Sequence, residues 1–103
     1  MWTDFKGGDL RAMETARSQM NDSRLIYNPD ETPFTPADFI ALHKNFASRL
    51  LNWFGKNLIG PRVVISHNAP VINPHSKYKG GPLTPAFTSL DMVEIIGTYQ
   101  PAL

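Results

Sequence analysis

The chain has 103 residues, room for one small domain, and its 10 Lys and Arg against 9 Asp and Glu leave a net charge of +1. That balance gives no nucleic-acid or membrane signal. With no cysteine, disulfides and thiolate chemistry are excluded, and a zinc site would have only nitrogen and oxygen ligands. No apolar run approaches the roughly 20 residues that span a bilayer. Met1 to Asp4 carries no basic stretch leading into an apolar one. The expected location is the cytoplasm.

In chain order, Trp2 to Phe5 reads as the tail of a strand, broken by Gly7 and Gly8. Asp9 is placed to cap a helix, because its carboxylate accepts an amide of the first turn. Leu10, Met13, Arg17 and Met20 then share a face, which predicts a helix from Leu10 to Asn21. Leu25 to Tyr27 reads as a short strand and Asn28 to Pro33 as a loop. Thr35-Pro36-Ala37-Asp38 is the sharpest local signal: a capping hydroxyl, a proline at the first helical position and an acid in the first turn. Phe39, Leu42, Phe46, Leu50 and Trp53 follow at three- and four-residue steps, so a helix is expected from Pro36 to about Lys56.

Arg62 to Ser66 is a β-branched run without alternation, the pattern of a strand buried on both faces. A helix leading into such a strand is the α/β order. His67 to Pro85 is loop, long enough to suggest function. Ser89 to Thr98 reads as a last helix with Ser89 as its cap and Leu90, Val93, Ile95 and Ile96 on its apolar side. Pro101 ends it.

Chemistry concentrates at Val63 to Pro70. His67 stands at the carboxyl end of the expected strand, the edge where open α/β sheets bind ligands. Its imidazole suits Zn, Fe, Mn or Ni; the competing reading is a histidine that caps the strand and bonds a carbonyl. His75, Lys77, Tyr78 and Lys79 form a polar loop that reads either as substrate contact or as a solvated surface. His43, beside Leu42 on the long helix, reads as structural. Phe39, Phe46, Trp53 and Phe54 read as core, and Arg11, Arg17 and Arg24, which could form an anion patch, read rather as a solvated face.

The stretch Val63 to Tyr78, V-V-I-S-H-N-A-P-V-I-N-P-H-S-K-Y, resembles the V-V-T-H-H-A-P … H-P-R-Y segment of calcineurin-like metallophosphoesterases. Trp2-Thr3-Asp4-Phe5, Gly8-Asp9-Leu10, Met20-Asn21-Asp22, Phe34 to Asp38 and Pro82 to Leu103 follow one branch of that family in the same order, so the likeness covers nearly the whole chain. It implies an α/β protein, a two-sheet sandwich flanked by helices, of which residues 1–103 form a partial domain.

It also implies phosphoester hydrolysis at two divalent metal ions (Mn, Fe or Zn) held about 3.5–4 Å apart. His67 corresponds to a metal ligand of the family. Asn68, where the family often has a second histidine, would bond a metal-bound water or the phosphate, or simply serve the turn. His75, read from its own loop, would line a substrate pocket or belong to a solvated surface. The family's Asp-x-His, bridging Gly-Asp, Gly-Asn-His and Gly-His-x-His motifs have no counterpart here; Gly8-Asp9 has the letters of the second but lies in another segment. The sequence looks cut at both ends. The expectation is therefore a portion of a phosphoesterase, inactive by itself and of poor independent stability, with a small binding protein that reuses the fragment, or a truncated pseudogene product, as alternatives.

Overall fold

A computed structural model describes residues 3–69, 74–77 and 79–100. Its elements are all helical: α1 (Phe5–Gly8), α2 (Leu10–Gln19), α3 (Asp22–Leu25), α4 (Pro36–Phe54), a 3-10 turn at Thr84–Ala86, and α5 (Asp91–Tyr99). Among the described residues there is no strand and no sheet; pairing is limited to isolated bridges such as Tyr27 with Pro33. This overturns the expected α/β sandwich and the strand expected at Leu25 to Tyr27, where Leu25 instead closes the short helix α3.

The expected strand Arg62 to Ser66 is corrected for a physical reason. Arg62, Val64 and Ser66 are half-buried while Val63 and Ile65 are 59% and 91% exposed. The segment alternates, one side lying on the helices and the other in solvent. A run of valine and isoleucine states only that apolar surface needs covering; a ladder also needs neighbours to take its amides and carbonyls.

The two longer helices expected from the sequence form where local chemistry dictates. The Asp9 carboxylate accepts the Ala12 amide at 2.8 Å and starts α2. Thr35 and Asp38 make a reciprocal capping box at α4: the Thr35 amide donates to Asp38 at 2.7 Å, and the Asp38 amide donates to the Thr35 hydroxyl at 3.4 Å. The Thr35 amide, the Asn28 side chain and the Thr35 hydroxyl, in that order, hold the Asp38 carboxyl below its ordinary 3.8. A depressed carboxyl stabilises the fold above its unfolded-state value, and that contribution is lost as pH falls through the folded-state value, below about pH 4. Thermal midpoints should therefore drop between about pH 6 and about pH 3, and less so in Asp38→Asn. Thr35→Ala should cost about 1 kcal/mol in urea unfolding at neutral pH.

Packing follows from α4, which at 19 residues is about 28 Å long and crosses two cores. Near its start Phe39 belongs to a buried cluster with Phe5, Phe34, Ala12, Ala16, Met20 and Ala86. The Phe39 ring lies 4.8 Å from that of Phe34 and 6.1 Å from that of Phe5. Near its end Ala47 and Phe54 pack with Met92 and Ile95 of α5, flanked by half-buried Leu50, Trp53 and Val64. The molecule measures 44 × 37 × 18 Å. A thickness under two helix diameters leaves few side chains covered on all sides, which is why Leu42, Leu58, Ile59, Leu90 and Val93 remain exposed.

The N-terminal arm closes the structure. Phe5 and Lys6 adopt φ of 50° and 55°, and Gly7 and Gly8 continue with 74° and 92°, so α1 is a left-handed turn. Such angles cost a residue with a side chain about 1–2 kcal/mol. The turn persists because Phe5 is fully buried and because the Gly8 and Asp9 amides bond Asp4 and Phe5 carbonyls at 2.8 Å.

Candidate functional site

Arg62 fixes the approach to His67. Its guanidinium donates to the Phe54 and Lys56 carbonyls and lies 5.5 Å from the Trp53 ring centre. A cation over the last carbonyl of α4 and one just beyond it satisfies groups that the helix end leaves open and favours its negative end. The chain then runs out along Val63 to Ser66 and turns, with the Ser66 hydroxyl donating to the Asn68 carbonyl at 2.9 Å.

At this turn the His67 side chain is exposed and Asn68 is buried. His75, Lys77 and Lys79 are exposed further on, while Pro70 and Tyr78 lie outside the described residues. Among the described residues no three His, Asp or Glu side chains come together in a way that could hold a metal ion. An exposed imidazole fits the role of a single donor. It does not fit a self-contained dinuclear centre, which needs several carboxylate and imidazole ligands with partners behind them. His67→Ala should shift the stability of this chain by less than about 0.5 kcal/mol in urea unfolding, since the side chain meets solvent.

A second cluster of polar side chains, two of them fully buried, gathers around the start of α5. The His43 side chain is fully buried, and its Nε2 lies 2.9 and 2.8 Å from the two Asp91 carboxylate oxygens, so Nε2 carries the donated proton. The Asp4 carboxylate accepts the Leu90 amide at 3.0 Å and the Asp91 amide at 3.4 Å. It thereby caps α5 in place of Ser89, whose hydroxyl makes no capping bond; Ser89 is buried and its Oγ has no hydrogen-bond partner among the described residues. Thr3, also fully buried, donates its hydroxyl toward the Pro85 and Thr88 carbonyls and accepts the Phe5 amide at 3.0 Å.

No family model matches the chain, and no characterised protein or solved structure matches it. The chemistry of the two clusters therefore rests on their own geometry. The His43–Asp91 pair has the composition of an acid–base couple, but a histidine with no exposed surface presents no nitrogen to a substrate, so the pair acts as a stitch between α4 and α5. Sequence reasoning missed the contact because 48 residues separate its members. The available signal was the four-residue spacing of His43 from Phe39 and Ala47, which puts it on the buried stripe. Among the described residues, no helix is long and apolar enough to cross a membrane.

Proposed function

We propose that this chain supplies one metal ligand, His67, to a phosphoester-hydrolysing centre whose remaining ligands come from outside the described residues, and that it is catalytically silent by itself. One observation supports this reading beyond the sequence likeness. The exposed imidazole stands directly after an apolar segment whose Val63 and Ile65 face solvent, with the fully exposed Ile59 just before it. Apolar side chains grouped beside a ligating residue suit a surface that further polypeptide covers when the centre is assembled. Mn, Fe and Zn all suit an imidazole donor joined by carboxylates.

The coding sequence on either side is the test. Frames encoding Asp-x-His and Gly-Asn-His upstream, or Gly-His-x-His downstream, are expected. The purified chain is expected to show no metal-dependent turnover of an aryl phosphate diester, and turnover lost on His67→Ala would overturn its silence. The same exposed apolar segment favours a second reading, a small non-catalytic protein that binds a partner there. Flanking frames without those motifs, together with preserved expression, would select that alternative.

A further inference from the structure

Away from His67, the first residues of α2 and the glycine pair before the 3-10 turn border an open depression of about 420 Å³. Lys6, Arg11, Thr15, Gly80 and Gly81 are among the residues that line it. We propose that this depression binds a phosphomonoester of sugar size, with Lys6 and Arg11 holding the phosphate.

Charge selects the ligand. Lys6 and Arg11 are exposed, and neither forms an ion pair among the described residues. Asp9, the acid of the lining, has its Oδ1 turned to the Ala12 amide at 2.8 Å, and so serves the helix start. The surplus is cationic, and a guanidinium and an ammonium in one lining suit a phosphate dianion: the fork of Arg11 can grip two oxygens while Lys6 adds a point charge.

Position selects it too. Lys6 does not trail on a free arm. It sits inside the left-handed turn, with its own amide bonded to Asp4 at 3.1 Å and the neighbouring Phe5 fully buried. Arg11 is fixed on a ten-residue helix. Both cations therefore start from anchored backbone, which lowers the entropy lost on gripping a ligand. Gly80, also in the lining, presents no side chain, and a Cβ built there would meet nothing within 4 Å, so no side chain obstructs the depression at that point.

Ribose 5-phosphate is the probe, with ribose and sodium chloride at matched ionic strength as controls, titrated into the full chain while backbone amides are followed by NMR. Saturable shifts at Lys6, Ala12, Gly80 and Gly81 are expected with the phosphate ester alone. Affinity should fall about tenfold or more in Lys6→Gln and in Arg11→Gln, each with an unchanged thermal midpoint, because charge-assisted bonds of that kind are lost. Absence of saturation, equal shifts with ribose or chloride, or undiminished affinity in both variants would overturn the proposal.

Discussion

Truncating Phe39 to alanine is expected to destabilise the chain by about 3–5 kcal/mol, a large part of the about 5–15 kcal/mol that holds a domain together. The ring is fully buried and touches aromatic rings from two other segments, Phe5 in the N-terminal turn and Phe34 in the loop before α4. Its loss leaves a cavity where three separate stretches meet. It also weakens the seat of Phe5, whose burial offsets the left-handed backbone of α1, so the strain of that turn is no longer compensated. Urea unfolding followed by far-UV circular dichroism reads the effect. Leu42→Ala on the same helix is the control: Leu42 is 47% exposed, and its truncation should cost under about 1 kcal/mol. Equal losses at the two positions would mean that Phe39 does not organise the core.

The contrast between Leu42 and Phe39 shows where sequence reading succeeds and where it loses phase. The helix α4 is legible because everything that starts it is local: Thr35 and Asp38 are three residues apart and bond each other. Its apolar spacing fixes the period. The stripe that is buried, however, runs through Pro36, Phe39, His43, Ala47 and Phe54, leaving Leu42 outside it. Which face turns inward depends on what packs against it, and that information lies in α2, α5 and the N-terminal arm. The start of α5 shows the same limit. Ser89 has the composition of a cap, but the capping carboxylate comes from Asp4, 86 residues away from the amide it takes.

The site residues divide in the same way. That the chain turns at His67 was legible, because an apolar run ends there in Ser66, His67 and Asn68, and the Ser66 hydroxyl closes the turn. The environment of the run was not. Arg62 to Ser66 was expected to be enclosed on both sides, and its Val63 and Ile65 are instead open to water. A β-branched run carries the same letters whether a sheet or a single helical layer receives it. Partner strands decide between the two, and among the described residues none is present.

His43→Ala is the second substitution expected to act strongly, at about 2–4 kcal/mol. Two effects contribute, and the exposure of each partner separates them. Asp91 keeps 41% of its side chain in solvent, so water can take over the oxygens that His43 leaves, and the ion-pair share of the loss is small. The imidazole has no such refuge. Its removal empties volume between α4 and α5, and that void carries most of the cost. Asp91→Ala works in the opposite sense: it keeps the ring in place but strands a fully buried N–H, at a penalty of about 1–3 kcal/mol. The two single variants should therefore both destabilise, with His43→Ala the larger. The double variant should fall short of their sum by at least about 0.5 kcal/mol, because the stranded N–H exists only when the ring does. Urea unfolding of the four proteins measures that coupling. Strict additivity would show that the contact at 2.8 Å holds no share of the energy joining the two helices.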